Sequence, residues 1–238
     1  MRTQFLLKAE LLKDKVPSLK EFPFNLSAVR YLDSLEFHPH VTFLVGENGS
    51  GKSTLLEAIG VSWGFNAEGG SKNFNFLTKS SHSDLHKYLR LVRGIKRPQD
   101  GFFLRAESFY NVATEVDELG MQYGQKSLHD QSHGESFLSL FMHRFRGNGL
   151  YILDEPEAAL SPSRQMALIS RMHDLVNQKS QFLIATHSPI IMAYPDAAIF
   201  VLSDDGIKKI DYTETEHYQV TKEFINNHSR MLKILMED

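Results

Sequence analysis

A nine-residue run between an apolar segment and a helical segment most constrains the fold of this chain. It reads Gly46-Glu47-Asn48-Gly49-Ser50-Gly51-Lys52-Ser53-Thr54 and fits the pattern G-x-x-x-x-G-K-[ST]. The residues before it, 41–45, predict a buried strand, and residues 53–59 predict the start of a helix. Glycines let the backbone N–H groups of such a loop turn inward around a phosphate, and the helix N-terminus attracts negative charge. The sequence therefore predicts a phosphate-binding loop, in which Lys52 reaches the β- and γ-phosphates of a nucleotide and the Ser53 hydroxyl binds Mg²⁺.

The composition is typical of a folded protein that works in a reducing compartment. The chain has 238 residues, 42% of them hydrophobic, and a formal net charge of -3, so no strongly basic field indicates nucleic acid or a membrane surface. It contains no cysteine, which excludes disulfides and thiolate metal sites. The most apolar window, 182–202, contains Pro189 and Asp196 and predicts two strands and a loop. We therefore expect a cytoplasmic protein without a membrane span.

Apolar runs and helical periodicities alternate along most of the chain. Strands are predicted at 85–92, 101–106, 150–153, 181–185, 199–202 and 207–212. Helices are predicted at 110–120, 134–146, 162–178 and, with amphipathic character, 217–236. The first two strands are expected to form a hairpin, and residues 65–84 are expected to form a surface excursion. The alternation predicts an α/β fold with a mostly parallel core sheet.

Two acidic residues follow one of the predicted buried strands. The segment Gly149 to Glu157 places four apolar residues before Asp154 and Glu155. Ligands of open α/β sheets bind at the carboxyl ends of the strands. Asp154 can hold Mg²⁺ there, through water or through Ser53, and Glu155 can accept a proton from an attacking water. Taken alone, the pair fits two exposed loop carboxylates equally well.

Two further motifs have both a functional and a structural interpretation. His187 follows the predicted strand 181–185, where its imidazole could position a water and sense the γ-phosphate, although a hydrogen-bonded loop histidine is commoner. Ser132, Gly134 and Glu135 precede a predicted helix. Ser132 and the Gly134 backbone could bind a phosphate at the helix N-terminus, although a well-capped helix start is the more frequent meaning of this pattern.

The order of these four motifs resembles that of the ATP-binding-cassette (ABC) ATPase superfamily, over residues 37–202. The resemblance implies a P-loop NTPase domain that hydrolyses ATP with Mg²⁺, with Glu155 as the base and His187 as the γ-phosphate switch. It implies that Ser132, Gly134 and Glu135 belong to the signature motif and residues 158–162 to the dimer loop. Two chains of such proteins sandwich two ATP molecules head to tail, and the signature motif of each chain contacts the nucleotide of the other.

Some positions depart from that superfamily. His133 stands where the signature motif usually has glycine, and Glu107 is assigned to the position of a usual glutamine, where its carboxylate could meet Mg²⁺ or water. The interval from Glu107 to Ser132 is too short for the helical subdomain of transporter subunits or for coiled-coil arms. The chain is therefore most similar to small standalone ATPases that resemble chromosome-maintenance and recombination-repair heads. We expect one domain over 1–238, with an antiparallel β subdomain and a short helical subdomain at about 108–148.

The sequence does not determine which cellular process the predicted ATP hydrolysis drives. Basic side chains crowd the predicted hairpin, namely Lys87, Arg90, Arg93, Lys96 and Arg97. They could hold the phosphates of DNA or RNA, although charges that protect an exposed edge strand are the favoured interpretation. Nucleic-acid maintenance or defence is the favoured task. The alternatives are a nucleotide-gated module that binds a partner protein and, less favoured, the ATP-binding subunit of a transporter.

Overall fold

In the computed structural model, which describes residues 4–71, 83–118, 129 and 131–237, the strands form two sheets. The strands are β1 (Leu6–Leu11), β2 (Ser34–Glu36), β3 (Val41–Val45), β4 (Leu89–Arg93), β5 (Asp100–Arg105), β6 (Gly149–Asp154), β7 (Gln181–Ala185), β8 (Ala198–Ser203) and β9 (Gly206–Ile210). The central sheet has the order β5-β6-β7-β3-β8-β9, and only its last pair, β8 and β9, is antiparallel. The smaller sheet, β2-β1-β4, is antiparallel throughout. The predicted α/β fold with a mostly parallel core sheet and an antiparallel β subdomain is confirmed.

Helices cover both faces of the central sheet. They are α1 (Ser27–Arg30), α2 (Lys52–Trp63), α3 (Phe109–Glu118), α4 (His133–Arg144), α5 (Pro162–Asn177), α6 (Pro189–Met192) and α7 (Glu216–Met236). Short 3₁₀ turns cover Lys13–Lys15, Asp84–Tyr88, Pro156–Ala159 and Tyr212–Glu214. The predicted helical subdomain contains α3 and α4, and residues 119–128 and 130 of it lie outside the described residues.

The central sheet separates two hydrophobic cores because successive side chains of a strand point to opposite faces. In β6, Leu150 and Ile152 pack in the core that includes α2, whereas Tyr151 and Leu153 pack in the core that includes α4 and α5. All four side chains are fully buried, and each such burial stabilises the fold by about 1.5–3 kcal/mol. A strand covered on both faces is a continuous apolar run, which is why β6 and β7 could be predicted.

Parallel pairing brings the ends of four strands to one edge of the sheet. Leu44 of β3 and Asp154 of β6 are both in register with Ala185 of β7, and Arg105 of β5 is in register with Asp154. The loops that follow these strands therefore meet at the carboxyl edge of the sheet. The candidate residues of the nucleotide site lie at the ends of these strands, on the loops that follow them, or at the starts of α2 and α4.

Three predictions for the segment between α2 and β5 are wrong. β4 pairs with β1 and β5 pairs with β6, so these strands belong to different sheets and form no hairpin. The 3₁₀ turn Asp84–Tyr88 takes the place of the first half of the predicted strand. Residues 65–84 were expected to form a loop on the surface, but Phe65 is 4% exposed and packs in the core on the α2 face of the sheet. Residues 72–82 of that predicted loop lie outside the described ranges. Local pattern predicts strand character, but long-range pairing decides the partner.

Candidate functional site

The phosphate loop joins β3 to α2 in the predicted strand–loop–helix arrangement. Gly51, directly before α2, has a φ of +93°, and Gly46 has a φ of +144°. A Cβ atom on Gly46 would lie 2.3 Å from the carbonyl oxygen of Leu202, so only glycine fits between the loop and β8. The loop is thus fixed by backbone geometry and by contact with the sheet.

Lys52 lies across its own loop. Its ammonium group donates hydrogen bonds to the carbonyl oxygens of Gly46 and Glu47, both at 2.8 Å. The residue is 4% exposed, and burial lowers the pKa of the amine, although the nearby Glu155 and Asp154 carboxylates act in the opposite direction. A phosphate that binds this loop has to replace the two carbonyl groups as the partner of Lys52.

Ser53 and Asp154 connect the phosphate loop to the end of β6. Ser53 Oγ donates a hydrogen bond of 2.9 Å to Asp154 Oδ1, and Asp154 is 5% exposed. Burial raises the pKa of Asp154 to about 6, although Arg105 and the Ser53 hydroxyl favour its charged form. The structure therefore brings together two residues that are 101 positions apart in the chain, as the sequence predicted.

These two side chains fit a magnesium ion that also binds phosphate. A hydroxyl and a carboxylate oxygen are hard ligands, and Mg²⁺ in nucleotide sites takes one or two protein groups together with phosphate oxygens. Within 4–71, 83–118, 129 and 131–237, no group of three or more histidine, aspartate or glutamate side chains is arranged to hold a metal. An ion held by Ser53 and Asp154 would take its further ligands from phosphate oxygens and water.

Arg105 and Glu57 form an ion pair beside Asp154 that the sequence analysis missed. Arg105 Nη1 lies 2.8 Å from Glu57 Oε2, and its Nε lies 3.5 Å from Asp154 Oδ2. Its Nη2 is 3.3 Å from Glu107, whose side chain is 86% exposed. Glu107 thus lies at the rim of the site, held by Arg105. The position of Arg105 at the end of β5 was available from the sequence, but its register with Asp154 was not.

Glu155 begins the loop after β6 in a left-handed backbone conformation. Its φ is +50° and its ψ is 52°, which is uncommon for a residue other than glycine. The Glu155 N–H donates to the carbonyl of Ala185 at 2.9 Å, and this bond fixes the start of the turn. Its carboxylate remains 41% exposed and lies 3.6 Å from His187 Nε2. The two predicted catalytic side chains are therefore neighbours across β6 and β7.

Glu157 joins the loops after β6 and β7, a role that the sequence analysis did not foresee. Its carboxylate accepts a hydrogen bond of 2.7 Å from Thr186 Oγ1 and a short one from the backbone N–H of His187. Burial raises the pKa of Glu157, and these two hydrogen bonds favour its charged form. His187 also contacts a second imidazole, because its Nδ1 lies 3.1 Å from His217 Nε2. His187 is thus held on both its backbone and its ring.

The signature-like residues cap the start of α4. Glu135 accepts hydrogen bonds from the N–H and hydroxyl of Ser132, at 3.1 and 2.7 Å, and from Arg164 at 3.0 Å. A Cβ atom on Gly134 would lie 2.4 Å from the carbonyl oxygen of Ala159. The interpretation as a well-capped helix start is therefore confirmed. A role of Ser132, Gly134 and Glu135 toward a nucleotide stays a prediction.

A cavity of about 300 Å³ opens between the phosphate loop, β6 and the start of α4. It is lined by Ser53, Ala106, Glu107, His133, Asp154, Glu155 and Ala158. The His133 ring packs edge-on against Phe109, with 5.3 Å between ring centroids. His133, which replaces the usual glycine, therefore faces the same space as the acidic residues.

The basic residues before β5 are mostly paired within the chain. Lys87 lies 2.7 Å from Asp84, and Arg90 binds the Glu10 carboxylate of the neighbouring strand. The Arg93 guanidinium stacks 4.5 Å from the centre of the Trp63 ring. β4 is also an edge strand of the small sheet. These contacts agree with the favoured interpretation, in which charge protects an exposed edge.

Two protein-family models match the chain. An AAA domain matches residues 25–112, which include the phosphate loop, and an AAA ATPase domain matches residues 127–192, which include Asp154, Glu155 and His187. No curated protein is significantly similar in sequence. Together, the two matches support an ATPase-type nucleotide-binding domain.

Solved structures define the fold. The chain is similar to cbiO1 from Clostridium perfringens, part of the ABC transporter complex cbiONQ, with 17% identity and a TM-score of 0.51 over 97% of this chain and 99% of that chain. The chain has the fold of an ABC-type ATPase. Weaker similarities include MJ1267, an ATP-binding cassette of an ABC transporter in its ADP conformation, with 17% identity and a TM-score of 0.49 over 98% of this chain and 100% of that chain. They also include the SMC head domain from Thermotoga maritima, with 16% identity and a TM-score of 0.41 over 75% of this chain and 93% of that chain.

None of the helices in the described part of the chain is both long and apolar enough to cross a membrane. The longest helix, α7, spans Glu216–Met236 and carries charged residues along its length. The window 182–202 folds as β7, α6 and β8, the two strands joined by a helical turn and loop. That window was correctly predicted to hold two strands.

Proposed function

We propose that this chain hydrolyses ATP in a Mg²⁺-dependent reaction. The observation that carries the proposal is the hydrogen bond between Ser53 Oγ and Asp154 Oδ1, because it joins the phosphate loop to the acidic end of β6. This contact brings a phosphate-binding element and a carboxylate together, as binding of a nucleotide with its metal ion requires.

The loop from Gly46 to Thr54 binds the triphosphate. The loop offers its backbone N–H groups and the N-terminus of α2 to the phosphates. Lys52 exchanges its two carbonyl contacts for phosphate oxygens. Ser53 and Asp154 hold Mg²⁺, which when bound neutralises part of the phosphate charge. Glu107 is a further candidate ligand at the rim, through a water molecule.

Glu155 and His187 act in the hydrolysis step. The Glu155 carboxylate is exposed to the cavity and accepts the proton of the attacking water. His187 Nε2 lies close enough to the same carboxylate to contact either that water or the γ-phosphate. Arg105 pairs with Asp154 from the other side and keeps a positive charge next to the buried carboxylate.

We propose in addition that two copies associate head to tail in the presence of ATP. Ser132 and Glu135 are exposed at the start of α4, so they are accessible to a second chain. In such a dimer, Ser132, Glu135 and the backbone of Gly134 complete the nucleotide site of the partner. The Ser132 hydroxyl then exchanges its contact with Glu135 for a phosphate oxygen.

A nucleotide-gated module that binds another protein is the best-supported cellular role. Every side chain of α7 is at least partly exposed, and the helix presents Phe224, Ile225 and Leu235 to solvent. An amphipathic helix normally gains its stability by covering its apolar side. Nucleic-acid maintenance or defence is the alternative, but two residues of the basic segment that supports it, Lys87 and Arg90, are paired with acidic side chains. Stimulation of the ATPase rate by DNA or RNA at low salt would favour that alternative.

Replacing Glu155 by glutamine tests the proposal. The amide keeps the size of the side chain but cannot accept a proton, so we expect ATP to bind normally while phosphate release slows by roughly 10²–10⁴-fold. Light scattering in Mg·ATP should then show dimers that accumulate before hydrolysis. A variant with the wild-type rate of phosphate release would contradict the assignment of the base. A variant that binds ATP fully but stays monomeric would contradict the dimer.

A further inference from the structure

The start of α7 is fixed against the loop that carries His187. Thr215 caps the helix and is fully buried; its hydroxyl donates to the Tyr212 carbonyl at 2.7 Å and accepts from the Tyr218 N–H at 3.3 Å. The Tyr212 hydroxyl donates to the Pro189 carbonyl at 2.8 Å, two residues after His187. The chain segment before α7 is thus tied to the loop after β7.

This arrangement places two imidazoles in contact. His187 Nδ1 and His217 Nε2 are 3.1 Å apart, and the ring centroids are separated by 5.2 Å. The other nitrogen of His187, Nε2, is buried, and no group in the described part of the chain forms a hydrogen bond with it. Its nearest charged neighbour is Glu155, at 3.6 Å. Buried polar atoms in proteins normally have a hydrogen-bond partner, so this nitrogen is open to a contact with a bound ligand or water.

The contact couples the choice of protonated nitrogen in His187 to the choice in His217. Burial lowers the pKa of both imidazoles, and the charge of Lys52 lowers the pKa of both further. The neighbouring His187 ring also lowers the pKa of His217. Glu155 raises the pKa of His187, and Glu216 and Glu157 raise that of His217. Each ring is therefore neutral near pH 7 and carries one N–H. Between the two facing nitrogens, one must donate and the other must accept.

The carboxylate of Glu155 decides the direction. A negative charge 3.6 Å from His187 Nε2 favours the tautomer with the proton on Nε2. His187 Nδ1 then has a free lone pair, and His217 Nε2 supplies the hydrogen of the 3.1 Å contact. His217 thereby directs the Nε2–H of His187 toward the carboxylate of Glu155, the proposed base.

We propose that His217 is a positioning residue that fixes the tautomer and the ring orientation of His187, so that His187 donates a hydrogen bond to a γ-phosphate oxygen. This inference rests on the proposed ATPase function. It also gives α7 a direct contact with the nucleotide site, since His217 lies in the first turn of that helix.

Three variants separate positioning from a structural role. His217→Ala removes the donor, and His217→Gln keeps an N–H at about the position of Nε2. His228→Ala is the matched control, because His228 lies on an exposed part of the same helix. We expect His217→Ala to lower kcat by about 10–100-fold, the usual effect of losing the partner that orients a functional histidine. The KM for ATP should change less than about twofold, because the phosphate loop is intact. His217→Gln should recover most of the lost kcat.

Nitrogen NMR of histidine-labelled, nucleotide-free protein tests the inference without relying on activity. We expect the wild-type spectrum to show His187 protonated at Nε2, and His217→Ala to change that pattern while His217→Gln preserves it. A wild-type His187 protonated at Nδ1 would overturn the inference, even if His217→Ala does not fold. An unchanged His187 spectrum in His217→Ala, or an unchanged kcat, would overturn it as well. A wild-type protein without ATPase activity would instead refute the proposed function, and the NMR result would still decide the tautomer.

Discussion

Replacing Asp154 by asparagine should make the nucleotide-free protein more stable at alkaline pH. The carboxyl is 5% exposed, and burial raises its pKa from 3.8 to about 6, despite the opposing effects of Arg105 and Ser53. At neutral pH, the charged form is therefore less stable in the folded protein than in the unfolded chain. Asparagine keeps an oxygen that can accept the Ser53 hydrogen bond and cannot ionise. The same change should abolish ATP hydrolysis, since it removes the proposed magnesium ligand.

The size of the effect follows from the two pKa values. The folded protein holds the Asp154 proton more tightly than the unfolded chain does, so the protonated carboxyl contributes to the free energy of unfolding. This contribution is complete below pH 3.8 and is lost as the pH rises through about 6. The loss reaches about 3 kcal/mol at pH 8, and about 1.4 kcal/mol of it falls between pH 5 and pH 8. Arg105 stays charged over this range, so losing its contact with Asp154 adds only a term that does not depend on pH.

Urea unfolding in EDTA at pH 5 and pH 8 measures the effect. We expect the free energy of unfolding of Asp154→Asn, relative to wild type, to rise by about 1.4 kcal/mol between the two pH values. Asp205→Asn is the control, because Asp205 is exposed in the turn between β8 and β9; its difference from wild type should stay constant. If wild type and Asp154→Asn have the same pH dependence, the argument that Asp154 is buried at an electrostatic cost is refuted.

Two other substitutions test the ends of the site. Lys52→Ala should weaken ATP binding and slow ATP hydrolysis by about 10²-fold or more, because it removes a positive charge that stabilises the phosphates in the transition state. The variant should stay folded, since the Lys52 ammonium group donates its hydrogen bonds to the loop carbonyls of Gly46 and Glu47. Titration with a fluorescent nucleotide and assays of phosphate release measure the two effects, with the exposed Lys208→Ala as the control. Gly134→Ala should lower the free energy of unfolding by about 1–3 kcal/mol, because the added Cβ would meet the Ala159 carbonyl at 2.4 Å. An unchanged urea midpoint would show that α4 can move away from that carbonyl.

The sequence by itself determined the elements whose structure depends on near neighbours. The phosphate loop could be predicted because Gly46 and Gly51 adopt backbone angles that glycine favours, and because an apolar strand and a helix start flank the loop directly. β6 and β7 could be predicted because strands buried on both faces are continuous apolar runs. Asp154 and Glu155 followed from their place at the end of such a strand.

The tertiary structure alone decided the contacts that depend on register and on distant parts of the chain. Arg105 meets Asp154 because β5 and β6 pair in one register, and a shift by a single residue would turn the Arg105 side chain to the other face of the sheet. The segment 85–106 has strand character at both ends, yet the two strands joined different sheets, since pairing partners are chosen by the whole core. His217 lies 30 positions from His187, and the buried cap at Thr215 together with the hydrogen bond from Tyr212 to Pro189 brings the two rings together.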